Sequence, residues 1–409
     1  MLLGDGMERQ ILHVDVNNAF LSWTALDMLK NGESLDIRTI PAVIGGDEKL
    51  RHGIVLAKSM SAKSAGIVTG EPLYQARKKC PTLRVFSSNF KVYREYSNQL
   101  YELLCEYTDK IERFSIDECF MDMTEFLRGR KLIDIAYEIG RRVREELGFT
   151  VNVGVAHNKL LAKMASDFSK PDKVHTLFRE EIPEKMWKLP VGDLFMLGKK
   201  TVPKLQLLGI KTIGDLARYD YRWICYRFGK FGKMIWEYAN GIDTSEVVSE
   251  KEAPKGIGNS VTLPRDYESL EELNSVLLAL SEQVSFRLRK QKMFAETVNV
   301  QLRTSDFRDF SHQKKLNHAT CSTSEIYQVA KGILEEMYRQ QKIRLIGLRV
   351  DHLTDKPIQQ VSLFDEKTVN EKQEKLDKAV DALKQKFGYE SVMRASGMET
   401  SRMMKRKDE

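Results

Sequence analysis

Five cysteines in 409 residues, Cys80, Cys105, Cys119, Cys225 and Cys321, are too few and too scattered for a disulfide framework. None forms a CxxC pair, which also argues against a structural zinc site and fits a reducing cytoplasm. No run approaches the ~20 apolar residues of a membrane span. The first ten residues, MLLGDGMERQ, have no long apolar core, so no signal peptide is expected; Met7 is a candidate for an alternative start. Internal repeats and low-complexity blocks are missing too. What is present is the composition of a soluble globular protein, 42% apolar and 30% charged. Lys plus Arg number 65 against 58 Asp plus Glu, a net +7. That mild excess permits a nucleic-acid partner without requiring one, since charge runs are mostly solvated faces. The length exceeds a single hydrophobic core and predicts two to four domains.

The segment QILHVDVNNAF reads as a buried strand, a polar turn at Asn17-Asn18 and a helix start. Strands and helices then alternate through residues 8–180, an α/β unit with an insert near 40–88. Residues 181–250 show no strand pattern and predict a small helical domain. SEKEAPKG is a charged, proline-containing linker. Residues 256–353 run strand, helix, strand, strand, helix, strand, a split βαβ, ferredoxin-like order. The tail carries Leu376, Val380, Leu383 and Phe387 at helical spacing, which predicts an amphipathic helix.

Chemistry concentrates in acids placed inside apolar runs. Asp15 ends one strand pattern, and Asp117-Glu118 interrupts another, FSIDECFMDM. A buried carboxylate needs a partner, and neither strand pattern supplies a basic residue. Three acids converging in a dry core suit Mg²⁺, a hard ion that takes oxygen ligands. A pair of such ions clamps the two oxygens of a phosphoryl transfer. Neighbours in a regular strand point to opposite faces. Asp117 and Glu118 therefore share a site only if the backbone breaks there; otherwise IDE is a strand end in solvent.

HVDVNNAFLSW followed about a hundred residues later by FSIDECFMDMT resembles the two carboxylate motifs of the Y-family, or translesion, DNA polymerases, bacterial polymerase IV and V among them. VNVGVAHNKLLAKMASDFSKP is similar to that family's third palm segment, and FMLGKKTVPKLQLLGIKTIGDL to its thumb helix-hairpin-helix. The resemblance implies a multidomain α/β and α+β fold: palm over 1–20 and 90–180, fingers 21–89, thumb 181–250, linker 251–255, ferredoxin-like little finger 256–353, and a tail over 354–409. It implies that Asp15, Asp117 and Glu118 are catalytic and bind two Mg²⁺ ions, with the carbonyl of Val16 as a further ligand. Asp122 matches no family ligand and is expected to be structural or solvent-facing.

The resemblance also places Phe20 as the steric gate against a ribose 2′-hydroxyl. Ser115 is expected at the primer end or as a brace for the hairpin. Lys170 approaches the triphosphate. The fingers depart from the family: Met60 and Lys63 stand where a Tyr and an Arg are usual. Lys63 keeps the charge but loses the guanidinium fork. Either weaker nucleotide binding or its rescue by Ser59, Ser61 or Lys58 is expected. Gly198, Lys199, Lys200 and Thr201 are expected to meet a DNA phosphate through backbone N–H groups, with Gly198 turning between two helices. Arg287, Arg289 and Arg303, with Arg308, Lys314 and Lys315 nearby, are expected along the DNA backbone. Gln360, Leu363 and Phe364 fit the bacterial sliding-clamp pattern Gln-x-x-Leu-Phe.

The expected function is primer extension from deoxynucleoside triphosphates on a DNA template, with low fidelity and no proofreading segment, in damage tolerance of the SOS type. A cytoplasmic monomer is expected, with no membrane partner. Two rivals remain at this level: a catalytically weak, clamp-tethered mutasome scaffold, which the altered fingers favour, and a metal-dependent nuclease.

Overall fold

Six consecutive buried residues, Ile11–Val16, form strand β1. Burial on both sides removes any hydrophobic alternation, yet the two faces differ. Leu12, Val14 and Val16 enter one core and Ile11 another, with His13 and Asp15 on the second side. The structure, a computed structural model, describes residues 8–46, 51, 53–250, 253–355 and 367–392. Met7 and the clamp-like residues Gln360, Leu363 and Phe364 lie outside them. Two compact units result, Met1–Gly45 with Val55–Lys251, and Gly46–Ile54 with Glu252–Glu409.

In the first unit β1 leads into α1 (Ala19–Lys30), β2 (Ala42–Gly45), β3 (Val55–Lys58), α2 (Met60–Ser64), α3 (Leu73–Lys79), β4 (Arg84–Ser87) and α4 (Phe90–Cys105). Then come β5 (Ile111–Arg113), β6 (Glu118–Asp122), α5 (Leu132–Arg142), β7 (Val151–Ala156), α6 (Lys159–Ser166) and β8 (Val174–Thr176). The main sheet has the order β5-β6-β1-β7-β8. Strand–helix alternation suggested an α/β unit, but β1 runs antiparallel to both neighbours and only β7–β8 is parallel. The crossover β6-α5-β7 straddles β1, so the first strand splits the pair that the helix connects. Helices α4 and α5 cover one face of this sheet, and α6 covers the other. A separate small sheet, β3-β2-β4, has its own core around Val43, Val55 and Leu73.

Gly154 decides how near α6 comes to the sheet. A Cβ there would sit 1.9 Å from the carbonyl oxygen of Ala162. Only glycine lets the helix backbone lie directly on β7, and that approach delivers the α6 side chains to the carboxylate face. Gly154→Ala is expected to cost about 1–3 kcal/mol through overpacking, read as a fall in melting temperature. An unchanged melting temperature would show that α6 gives way freely.

The helical region that follows contains α7 (Val202–Gln206), α8 (Ile213–Arg218) and α9 (Tyr221–Ala239). Its core is continuous with α6 through Leu160, Leu161, Ile182, Leu205 and Ile213. Thr212 caps α8 by accepting from Asp215 N–H, while the Asp215 carboxylate accepts from Thr212 N–H, a reciprocal capping box.

The second unit holds β9 (Gly256–Tyr267), α10 (Leu270–Lys290), β10 (Phe294–Thr304), β11 (Asp309–Thr320), α11 (Thr323–Met337) and β12 (Ile343–Thr354). The element order is the expected one. The sheet order is β11-β10-β12-β9, so the last strand is the one that splits the βαβ pair. The tail helix α12 (Lys367–Phe387) is present, and among its described side chains Val380 is half-buried. Leu376, Leu383 and Phe387 are exposed, whereas Asp377, Asp381 and Lys384 are buried. Arg289 is the cause: its guanidinium bonds Asp381 at 2.5 and 2.9 Å and Asp377 at 3.2 Å.

Candidate active site

The run FSIDECF folds as a hairpin whose regular pairing starts at Glu118. β5 ends at Arg113, and residues 115–117 form a bend. The N–H groups of Phe114 and Ser115 both donate to the Glu118 carbonyl, at 3.0 and 3.2 Å. The backbone break expected between Asp117 and Glu118 therefore lies just before the strand, and Asp117 belongs to the turn. Glu118 stands directly across from Asp15 in the β1–β6 register. Val16 N–H donates to the Asp117 carbonyl at 3.0 Å, which ties the turn to the end of β1. Asp15, Val16, Asp117 and Glu118 consequently line one cavity of about 350 Å³. Ser115 Oγ donates to Asp117 at 2.7 Å, so it braces the carboxylate. Asp122 accepts from Thr124 N–H and Oγ and is structural.

The partners that neither strand supplies come from α6 and the loop after it. Lys163, nearly buried, places Nζ 3.1 Å from Glu118, 3.4 Å from Asp15 and 3.2 Å from Asp167. Lys170 Nζ is 2.7 Å from Asp15 Oδ2 and 2.9 Å from Asp167. Neither Lys163 nor Asp167 was singled out from sequence. A lysine among the buried Leu160, Leu161, Ala162 and Met164 was the available signal. The loop itself is pinned by two amides: Asn17 Oδ1 accepts from Asp172 N–H at 2.8 Å, and Asn152 donates to the carbonyls of Ser166 and Ser169.

Charge balance differs among the three acids. Burial opposes ionisation of Glu118, but His13 and Lys163 outweigh it and hold its pKa at about 2. Asp117 goes the other way, pushed up by burial and by the charges of Asp15 and Glu118 against the Ser115 hydroxyl. His13 is fully buried, and burial lowers its pKa. Ser166 Oγ spends its proton on the Lys163 carbonyl and so accepts from His13 Nδ1–H, while Nε2 of the same ring lies 3.5 Å from Glu118. Surplus negative charge at Asp117 and an all-oxygen donor set suit a hard divalent cation. Among the described residues no cluster of three His, Cys, Asp or Glu is gathered closely enough to hold an ion as placed. Lys163 lies between two of the carboxylates, Asp15 and Glu118.

Cationic side chains line the same cavity. Lys58, Met60, Lys63 and Thr69 line it, with Phe20 and Lys170. Burial and the nearby Lys63 charge lower the Lys58 pKa, with Glu71 opposing them. Lys58 Nζ donates to Thr69 at 3.2 Å. Ser59, expected at the nucleotide, is 1% exposed. Its hydroxyl caps α2 through Ala62 N–H, accepts from Ala42 N–H and donates to the Ile40 carbonyl, so it has no capacity for a ligand. Phe20 lines the cavity and also packs, stacking on Tyr93 with centroids 4.6 Å apart.

The expected DNA contacts fare unevenly. Gly198, Lys199 and Lys200 are exposed ahead of α7, while Thr201 N–H is used by the Gly198 carbonyl at 2.9 Å. Gly198 does not turn between helices; the reversal between α7 and α8 is made at Gly209, whose φ is +81°. Arg287 donates to the Gly258 carbonyl, and Arg303 is held by both oxygens of Asp309 across the hairpin. Arg289 is a correction: paired with α12, it has no free guanidinium for a phosphate. Lys314 and Lys315 are exposed on the edge strand β11.

Comparison with known proteins agrees with this geometry. The impB/mucB/samB family model matches residues 14–167, its C-terminal domain 254–363, and the family's HHH motif 179–210. A DNA polymerase IV of Clostridium acetobutylicum is 50% identical over 95% of this chain and 98% of its own length. One from Acetivibrio thermocellus is 39% identical over 95% and 97%. In three dimensions a Y-family DNA polymerase chimera superposes with a TM-score of 0.74 at 24% identity, covering 85% of this chain and all of its own, which shows a shared fold. Three matched segments and relatives aligned end to end leave one conclusion: the chain belongs to the impB/mucB/samB family, the Y-family of translesion DNA polymerases.

Proposed function

We propose that Asp15, Asp117 and Glu118, with the carbonyl of Val16, hold two Mg²⁺ ions in a chain that is a low-fidelity, template-directed DNA polymerase of the translesion class. Polymerases of this family use divalent metal, and primer–template DNA and deoxynucleoside triphosphates are the substrates. The observation that supports the metal assignment best is the cross-strand register of Asp15 with Glu118, joined by Asp117 from the bend and by cationic side chains lining the same cavity. Bound metal would stabilise charge developing at the α-phosphate as the primer 3′-hydroxyl displaces pyrophosphate.

The protein's own groups do the remaining work. Lys170, Lys58 and Lys63 neutralise the triphosphate, Lys58 standing in for the hydroxyl that Met60 lacks. Phe20, held by Tyr93, closes the ribose side. Lys163 keeps Glu118 ionised at any working pH. We assign residues 1–20 and 90–180 to a palm, 21–89 to fingers, 181–250 to a thumb and 256–353 to a little finger. Gly198 to Lys200 and the edge lysines Lys314 and Lys315 are assigned to DNA phosphates. The tail motif Gln360, Leu363 and Phe364 is assigned to a bacterial sliding clamp. A cytoplasmic monomer fits these assignments; among the described residues no helix is long and apolar enough to cross a membrane.

The test is primer extension by the full chain across intact and damaged templates, with and without clamp. Extension dependent on Mg²⁺, and stimulated by clamp unless Leu363 and Phe364 are both replaced by alanine, is expected. Normal DNA binding without extension would overturn the catalytic reading. Equal clamp stimulation of the double variant would overturn the tail assignment.

A further inference from the structure

Lys170 sits on the oxygen that a metal needs. Its Nζ lies 2.7 Å from Asp15 Oδ2, the same atom that Lys163 approaches at 3.4 Å. A divalent ion would bind that carboxylate at about 2.1 Å. Three cations around one largely buried carboxylate oxygen repel one another. One of them has to leave, and the two lysines are not equally free. The Lys163 side chain is 10% exposed, wedged between Asp15, Glu118 and Asp167. The Lys170 side chain is 35% exposed and lines the open cavity. Its backbone, meanwhile, is fixed by the Asn17 and Asn152 amides on either side of it. The base of Lys170 is thus anchored while its ammonium is able to swing.

We propose that Lys170 is an exchangeable counter-ion: it pairs with Asp15, and it transfers to the triphosphate of the incoming nucleotide when a divalent cation takes Asp15. Metal and nucleotide then assist each other beyond their direct contact, because each relieves a cost the other would meet. A metal entering without nucleotide has to displace an ammonium that has no second anion except Asp167. A nucleotide arriving without metal has to pull that ammonium from Asp15. Lys163 stays behind as the fixed charge that prevents the carboxylates from repelling one another. The inference rests on the reading of Asp15 as a metal ligand, and the experiment keeps the two separate.

Mn²⁺ affinity is measured by electron paramagnetic resonance on the full chain with a dideoxy-terminated primer–template, so that no bond forms. Each titration is run with and without the matching triphosphate, and metal held by free nucleotide is subtracted from a protein-free series. For Lys170→Met, Mn²⁺ should bind about tenfold more tightly than in the parent without nucleotide, and the nucleotide-induced gain should shrink by a similar factor, within the usual 5–150-fold span of such couplings. If the variant tightens Mn²⁺ equally with and without nucleotide, or not at all, Lys170 does not exchange and the proposal is wrong. An Asp15→Asn variant that binds Mn²⁺ as tightly as the parent would instead remove the metal-ligand reading itself.

Discussion

Asp117→Ala is expected to abolish primer extension while leaving DNA affinity nearly unchanged. Asp117 sits in the bend before β6, held by Ser115 Oγ and not by packing, so its side chain is dispensable to the fold. Its carboxylate faces the same cavity as Asp15 and Glu118. Losing a metal ligand removes several kcal/mol of transition-state stabilisation, which is about 10³-fold or more in rate. Single-turnover extension measures the loss, and fluorescence anisotropy on primer–template DNA supplies the control. A variant that extends within about tenfold of the parent would mean that Asp117 is not a ligand. The fold should not suffer. The folded-state pKa of Asp117 is raised, so the folded protein holds this proton more tightly than the unfolded chain, and stability falls as pH rises past that pKa. Neutralising the residue, as in Asp117→Asn, should therefore raise the melting temperature at neutral pH in the presence of a chelator.

Phe20→Ala should admit ribonucleotides. The ring lines the same cavity as the carboxylates from the second residue of α1. Clearing about 3 kcal/mol of steric discrimination corresponds to about 10²-fold in the ratio of kcat/KM for a deoxynucleotide over its ribonucleotide. The same ring stacks on Tyr93 and meets Phe90 edge-on at 5.7 Å, so alanine also leaves a hole in an aromatic cluster. Phe20→Leu separates the effects: it fills part of the hole but lacks the flat face. Both variants should lose sugar selection, alanine more than leucine, and only alanine should melt clearly lower. Unchanged sugar selection in a folded alanine variant would return Phe20 to an ordinary packing role.

The three acids were legible because each stands in an apolar run, where a charge without a reason is costly. How Asp117 and Glu118 share a site was legible only as a conflict with strand alternation. The hairpin resolves it by starting β6 at Glu118 and leaving Asp117 in the bend, a placement that depends on the pairing of β6 with β1. Ser59 failed as a ligand because a serine before a short helix has a nearer use as its cap. Arg289 failed because its partners, Asp377 and Asp381, lie some ninety residues away, beyond any local pattern. The tail helix was legible from its apolar spacing, but which side chains it buries was not, since Asp377 and Asp381 are drawn in by Arg289 from a distant part of the chain.

Local sequence by itself determined which segments become strands and helices, the position of the acids and the element order of the second unit. It did so because those features depend on neighbours within a few residues. Tertiary structure alone decided which cations answer the acids. Lys163 and Lys170 reach Asp15 across about 150 residues of chain, by way of a helix that lies against β7 only because residue 154 has no side chain. Electrostatic pairing acts through space, and the distances that set it exist only once the chain has folded.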